Sequence, residues 1–158
     1  MEVAAIDTQI FIWGMLPADS EINPDLIRRA KLLFRTFDEQ KTRVLFPSIC
    51  LSEVLVKIPT TSQSAFISSV ASSFEILPFD VKSAALSADI FNTNQHLRIQ
   101  GVQGDRVTHR ADCLIVATAK AHGATTFYSH DVRCRTIANS TRMLDKDLPD
   151  FDESLFDN

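Results

Sequence analysis

The sequence predicts a three-layer α/β/α domain built on a mostly parallel central sheet of four to five strands. Short apolar runs alternate with amphipathic helical segments from one end of the chain to the other, and no internal repeat or low-complexity block interrupts them. Such alternation is typical of parallel sheets that carry helices on both faces. A length of 158 residues and an apolar content of 45% are ordinary for a single globular domain with a sizeable core.

Three strands and five helices are predicted before residue 100. Residues 2–7 form an apolar run that ends in a carboxylate, as expected for a buried strand. Thr8 is expected to cap the short helix after it, and Asn23 with Pro24 is typical of a helix start. The predicted strands are 2–7, 42–46 and 74–79, and the predicted helices are 9–14, 23–40, 49–58, 60–73 and 80–98.

The later part of the chain continues the alternation and ends in an acidic segment. Residues 101–108 are the most loop-like stretch in the middle of the chain. After it we expect a helix over 109–121, a strand over 125–128, a helix from about 131 to 138 and an edge strand over 142–144. We divide the chain into a domain, 1–144, and an acidic tail, 145–158, which belongs to that domain or docks on it. The apolar residues expected to dock the tail are Leu148, Phe151, Leu155 and Phe156.

Composition excludes some classes of protein. The net charge is −4, so any nucleic acid has to bind through a local basic patch or through bound cations. The three cysteines are spread along the chain and fit no zinc spacing, which favours buried, reduced thiols. Neither a secretory signal nor a run of about 18 apolar residues is present. We therefore expect a soluble, cytoplasmic protein that does not interact with membranes.

Four acids fall at the ends of predicted elements. Asp7 ends the first strand, Glu53 lies in the helix after the second strand, and Asp112 lies in the first turn of the helix predicted over 109–121. Asp131 follows the last central strand. Because the carboxyl ends of parallel strands lie at one edge of the sheet, these acids are expected to converge there.

Each acid taken alone also has an ordinary structural explanation. Asp7 and Asp131 are suitable helix caps, and Asp112 in a first helical turn would complement the helix dipole. Glu53 is spaced to pair with Lys57 one helical turn later. As a cluster, however, carboxylates repel one another unless a cation lies among them, and hard oxygen ligands favour Mg²⁺ or Mn²⁺. Such an ion can activate water for hydrolysis of a phosphodiester.

The chain resembles the PIN-domain ribonucleases, the fold of the toxin half of VapBC-type toxin–antitoxin pairs. The segments that carry this resemblance are VAAIDT at 3–8, PSICLSEV at 47–54, RADCLIVATA at 110–119 and TTFYSHD at 125–131. The resemblance implies that Asp7, Glu53, Asp112 and Asp131 are the catalytic residues and hold Mg²⁺ or Mn²⁺. The hydroxyl of Thr8 or Ser129 would support that site. Family toxins are usually shorter, and the extra length here lies around 59–73 and in the tail.

The resemblance further implies a metal-dependent endoribonuclease with an RNA substrate, an antitoxin protein as partner and a homodimeric state. Cleavage would leave 5′-phosphate and 3′-hydroxyl ends. A basic neighbourhood beside two of the acids is a hypothetical phosphate-binding surface, although a solvated surface explains it equally well. Its residues are Arg106, His109, Arg110 and Arg133.

Two other functional classes are open to the sequence. One is a catalytically silent PIN-like module that binds RNA or takes part in assembly. The other is a phosphoryl-transfer domain, which also begins with a strand that ends in Asp. A haloacid dehalogenase would need a second acid where Gln9 stands, and the paired acids and late lysine of a receiver are missing.

Overall fold

A computed structural model describes residues 1–150, in which strands and helices alternate throughout. No helix in this range is both long and apolar enough to cross a lipid bilayer. The strands are β1 (Val3–Ile6), β2 (Arg43–Pro47), β3 (Glu75–Leu77), β4 (Thr126–Tyr128) and β5 (Leu144–Lys146). The helices are α1 (Thr8–Met15), α2 (Pro24–Gln40), α3 (Ser48–Leu55), α4 (Thr60–Ser73), α5 (Val81–Thr93), α6 (Asp105–Ala121) and α7 (Val132–Ser140), with a 3₁₀ turn at Gln95–Leu97.

The five strands form one sheet in the order β3-β2-β1-β4-β5, and every neighbouring pair is parallel. The predicted fold class is therefore confirmed. The first strand lies in the middle, where Ala4 is paired with Val44 on one side and with Thr126 on the other. Because β1 has helices over both faces as well as strands on both sides, Ala4, Ala5 and Ile6 are completely buried.

The connections place the helices in two layers. The connections from β1 to β2 and from β2 to β3 run in one direction along the sheet, and the later connections run in the opposite direction. Because crossovers between parallel strands are right-handed, α1 to α4 lie on one face of the sheet and α5 to α7 on the other. Aromatic packing supports the first layer, since Phe11 of α1 stacks on Phe46 of β2 with ring centroids 4.6 Å apart. Phe66 of α4 and Phe74 also contact Phe11 edge-on.

Helix α2 begins as predicted, whereas other helix ends differ from the expectation. Asn23 caps α2 by accepting a hydrogen bond from the Asp25 backbone N–H. Thr8 is the first residue of α1 and not its cap, since Asp7 fills that role. Helix α3 begins at Ser48, one residue before the predicted start, and ends at Leu55 and not at residue 58.

Helix α6 begins four residues before the predicted start at residue 109, so the predicted loop 101–108 is partly helical. The preceding Gly104 has φ +81°, a conformation that glycine adopts without steric cost. The carboxylate of Asp105 stabilises this end of the helix by accepting a hydrogen bond from the Ile99 backbone N–H at 2.9 Å. Apolar periodicity is absent from residues 105–108, which is why the sequence pattern misses this turn.

The start of the acidic tail is part of the sheet. Strand β5 crosses the predicted boundary after residue 144. Leu148 is only 3% exposed, and Arg29 of α2 donates hydrogen bonds to the carbonyl groups of Leu148 and Pro149. The other expected docking residues, Phe151, Leu155 and Phe156, lie outside the described residues. The division into domain and tail stays a prediction.

Gly14 marks the closest approach between α1 and α2. A Cβ atom at this position would lie 2.2 Å from the Phe34 ring atoms Cδ2 and Cε2. The Phe34 ring cannot simply move away, because it packs edge-on against Phe37 and Phe74 with centroid distances of 5.9 and 5.8 Å. This position requires a residue without a side chain because space is lacking, and not because of an unusual backbone angle.

We therefore expect Gly14→Ala to lower the free energy of unfolding by about 1–3 kcal/mol through overpacking. An unobstructed glycine-to-alanine change in a helix would instead be stabilising by up to about 1 kcal/mol. Urea denaturation measures the difference. The double variant Gly14→Ala/Phe34→Leu should recover part of the loss, and a single variant as stable as the wild type would contradict the packing explanation.

Candidate active site

The predicted acids lie around the carboxyl-terminal edge of the central strands. Asp7 directly follows β1, and Asp131 follows β4, its parallel neighbour. The chain runs from β1 toward β2 in one direction, whereas β4 and β5 lie on the opposite side, so β1 and β4 flank the point where the strand order reverses. Open parallel sheets bind their ligands at such a point.

Asp7 is held by both neighbouring segments. Its backbone N–H donates to the Tyr128 carbonyl at 3.0 Å, which extends the pairing of β1 with β4. One carboxylate oxygen, Oδ1, accepts from the Thr8 backbone N–H at 2.7 Å, and the other, Oδ2, accepts from the Ser129 hydroxyl at 2.7 Å. The Ser129 hydroxyl therefore contacts Asp7 directly, as its expected supporting role requires.

Ser129 also connects Asp7 to Asp131. The completely buried Ser129 hydroxyl oxygen accepts a hydrogen bond from the Asp131 backbone N–H at 3.1 Å. The Asp131 carboxylate caps α7 by accepting from the Cys134 backbone N–H at 2.8 Å. Both capping roles that the sequence left open, for Asp7 and for Asp131, are therefore present, and they aim both acids at the same edge.

Glu53 joins the cluster from α3 through Thr8. The buried Thr8 hydroxyl donates a short hydrogen bond to Glu53 Oε2. Thr8 therefore links two acids, because its backbone binds Asp7 and its side chain binds Glu53.

The pKa of Asp7 reflects this surrounding. Burial raises the pKa of its carboxyl, and the nearby charges of Glu53 and Asp131 raise it further. The hydrogen bonds donated by Ser129 and Thr8 act in the opposite direction. The acids are thus close enough for their charges to influence one another.

Asp112 lies well inside α6, seven residues after the helix start at Asp105. The alternative of a first-turn acid that complements the helix dipole is therefore wrong. Burial raises the pKa of Asp112 to about 7, and the negative charges of Asp131 and Asp7 contribute to this rise. The Arg133 guanidinium opposes it.

Arg133 is held between two carboxylates and contributes the positive charge of this edge. Its Nη2 lies 3.2 Å from Asp112 Oδ2, and its Nη1 lies 2.5 Å from Asp105 Oδ1. The Arg133 side chain is 17% exposed and that of Asp105 only 6%. Sequence reasoning missed Asp105 because it falls in the segment predicted as a loop.

The remaining basic residues have different surroundings. Arg106 and Arg110 are exposed on α6, and the Arg110 guanidinium lies 5.4 Å from the centre of the Phe91 ring. His109 is completely buried beside Phe91, so its expected contact with RNA is wrong. The physical reason is helical geometry, which turns residue 109 toward α5 while residues 106 and 110 face outward.

All three cysteines are free and buried, as predicted. Cys50 and Cys134 lie beneath the acids, where burial raises the pKa of each thiol well above its usual value. Burial likewise raises the pKa of Cys113 to about 11. Protonated buried thiols are chemically inert, so they serve as core residues.

The chemistry of the donors fits a hard divalent cation, but their arrangement is not a finished coordination shell. Carboxylate oxygens are what Mg²⁺ and Mn²⁺ prefer, and a cation would relieve the repulsion that raises the pKa of Asp7 and Asp112. Within residues 1–150, however, no three His, Cys, Asp or Glu side chains lie close enough to hold one metal ion together. Hydrogen bonds and Arg133 satisfy the acids in this conformation.

Comparison with known families decides the classification. The PIN domain family matches residues 4–139 of the chain. The chain belongs to the PIN domain family. The resemblance predicted from the four sequence segments is thereby confirmed, and the match contains all four acids. Curated protein sequences gave no match.

Solved structures with the same fold agree with this classification. FitAcB from Neisseria gonorrhoeae is 19% identical over 90% of this chain and 96% of its own, with a TM-score of 0.60. DNA-bound VapBC from Salmonella typhimurium is 16% identical over 94% of this chain and 100% of its own, with a TM-score of 0.61. A toxin–antitoxin complex from Klebsiella pneumoniae is 19% identical over 81% of this chain and 86% of its own, with a TM-score of 0.56.

The double role of Ser129 leads to a stability prediction. We expect Ser129→Ala to lower the free energy of unfolding by about 1–3 kcal/mol, because Asp7 Oδ2 and the Asp131 N–H both lose a buried partner. Chemical denaturation of the protein in EDTA measures this loss. A suitable control is Ser68→Ala on the exposed side of α4, where the hydroxyl bonds only the Ser64 carbonyl. A loss no larger than that of the control would contradict the linking role of Ser129.

Proposed function

We propose that this PIN domain protein is a metal-dependent endoribonuclease and the toxin of a toxin–antitoxin pair. The observation that carries the proposal is that four acids lie near one edge of the sheet: Asp7, Glu53, Asp112 and Asp131. Thr8 and Ser129 connect three of them by hydrogen bonds, and the charges of Asp7 and Asp131 raise the pKa of Asp112. Mg²⁺ or Mn²⁺ is the proposed cofactor. RNA in the cytoplasm is the proposed substrate.

The residues of the chain have distinct tasks in this proposal. Asp7 and Asp112 would bind the ion, and Glu53 and Asp131 would add negative charge to the site. The ion, when bound, would supply Lewis-acid chemistry that makes water a better nucleophile for hydrolysis of a phosphodiester. Thr8 and Ser129 keep the carboxylates of Glu53 and Asp7 in fixed orientations. The attack would leave a 5′-phosphate and a 3′-hydroxyl.

Arg133 is the group that would contact the phosphate. Asp105 anchors one side of its guanidinium, so this anchor persists when the contact to Asp112 is exchanged for another ligand. Arg106 and Arg110 extend the positive surface along the exposed side of α6 as further proposed RNA contacts. Together they would supply the cationic contacts that a protein of net charge −4 needs.

An antitoxin partner and a homodimeric state are part of the same proposal. Similarity to a toxin–antitoxin complex supports the partner. The homodimer rests on the family resemblance alone, and sedimentation of the purified protein tests it directly.

A second candidate function is a catalytically silent PIN module that binds RNA or takes part in assembly. One observation favours it: within residues 1–150 no three His, Cys, Asp or Glu side chains lie close enough to hold one metal ion, and Arg133 pairs with Asp112. The two candidates differ in what a divalent cation does to the protein.

We expect Mn²⁺ to raise the melting temperature of the wild-type protein, because an ion that binds only the folded state stabilises it and relieves carboxylate repulsion. At a concentration 100 times its Kd, the ion adds about 2.7 kcal/mol. Asp112→Asn should abolish most of the shift. Asp89→Asn, an exposed acid on α5, is the matched control and should keep it. An equal shift in both variants would place the ion elsewhere.

RNA cleavage tests the activity itself. Purified protein with Mg²⁺ or Mn²⁺ should cut RNA to fragments with 5′-phosphate ends, and EDTA should stop the reaction. Asp7→Asn should lower the rate by at least about a hundredfold, since it removes a charge at the reacting centre. Asp89→Asn should cleave like the wild type. Cleavage that survives both EDTA and Asp7→Asn would refute the proposed mechanism, and absence of cleavage by the wild type would favour the silent module.

A further inference from the structure

A cavity of about 710 Å³ opens beside the edge of the sheet at which Asp7 and Asp131 lie. Its wall includes Asp7, Asp131 and Arg133, so it is continuous with the candidate active site. Cavities of about 300–1,000 Å³ hold small-molecule-sized groups. A group bound at the carboxylates could therefore place a neighbouring part of the same ligand in this cavity.

The cavity has an aromatic and apolar wall although it is open to solvent. Trp13 lines it and is only partly buried, in contrast to Phe11, which lies in the core. The exposed side chains of Val102 and Val132 line it as well, at 54% and 68% exposure. Exposed apolar side chains grouped around a concave site mark a binding surface.

His130 gives this wall a defined geometry. Its ring meets Trp13 edge-on, with centroids 5.6 Å apart. The other side of His130 is fixed, because its Nδ1 lies 2.9 Å from Asp147 Oδ1. Arg135 in turn holds Asp147 at 3.0 Å. His130 is therefore held in place beside Trp13.

Polar groups complete the lining. Gln9, Gln103 and Thr108 offer hydrogen-bond donors and acceptors without charge. Neutral groups of this kind match the edges of a nucleobase, and aromatic faces match its plane.

We propose that this cavity is a nucleobase subsite, in which the base next to the scissile phosphate is unstacked from the RNA and packs against Trp13. The proposal rests on the proposed function, because it assigns the carboxylate edge to the phosphate. A nucleotide explains the shared wall better than an apolar peptide does, since one ligand then needs both the charged edge and the aromatic cavity. Trp13 thereby becomes a residue that binds and positions the RNA substrate.

The tryptophan content allows a direct binding experiment. Trp13 is the only tryptophan of the chain, so selectively excited tryptophan fluorescence reports on this cavity. The probes are short single-stranded RNA oligonucleotides, titrated into Asp7→Asn protein with Mn²⁺ and into wild-type protein with EDTA. We expect saturable quenching. An oligonucleotide that is abasic at the position bound in the cavity should bind about tenfold more weakly, and abasic positions elsewhere should change little.

Kinetics provide the second arm. With cleavable RNA, Trp13→Ala should raise KM about tenfold with a smaller change in kcat, and Trp13→Phe should restore most of the loss because it retains an aromatic face. RNA substrates that are abasic at successive positions test the same stacking contact without altering the protein. It therefore stays informative if Trp13→Ala fails to fold.

The outcomes separate this proposal from the proposed function. One outcome would contradict the subsite and leave the proposed nuclease intact: RNA is cleaved equally well with every abasic position, and RNA does not change the Trp13 fluorescence. The cavity would then bind another ligand, such as a protein segment. Position-dependent quenching without any cleavage would support the subsite and refute the nuclease.

Discussion

Parallel pairing of β1 with β4 is the interaction on which the candidate site depends. It places Asp7 and Ser129, which are 122 positions apart, within one hydrogen bond of each other. The Asp131 backbone N–H donates a hydrogen bond to the Ser129 hydroxyl, and the Thr8 hydroxyl donates one to Glu53. The negative edge is tolerable because backbone N–H groups, hydroxyls and one guanidinium surround it. A buried carboxylate without such partners would be strongly destabilising.

Much of this arrangement could be predicted from the sequence, because it follows from local pattern and from topology. An apolar run that ends in a single acid identified β1 and Asp7, and Asn23 with Pro24 located the start of α2. Alternation of strands and helices indicated a parallel sheet, which by itself places Asp7 and Asp131 at one edge. Neither step needed knowledge of side-chain contacts.

The rest depended on tertiary contacts that leave no periodic signal. The first turn of α6 is polar and is held by Asp105, whose partners Ile99 and Arg133 are distant in sequence or outside any motif. A charged pair of this kind overrides local propensity. Burial of His109 was missed for a related reason, since its packing against Phe91 of α5 is a tertiary contact. The resemblance identified the acids but carried no information about which protein groups contact them.

The central position of β1 also bears on how the protein is made. Of the five strands of this sheet, β1 is synthesised first and needs partners on both sides. Its partner β4 is synthesised more than a hundred residues later. Because a domain generally folds as a unit, the edge beside Asp7 stays incomplete until β4 has been made. Fragments from interrupted translation would carry Asp7, Glu53 and Asp112 yet lack the strand that assembles them. The strand order thus confines the assembled site to chains in which translation has passed β4.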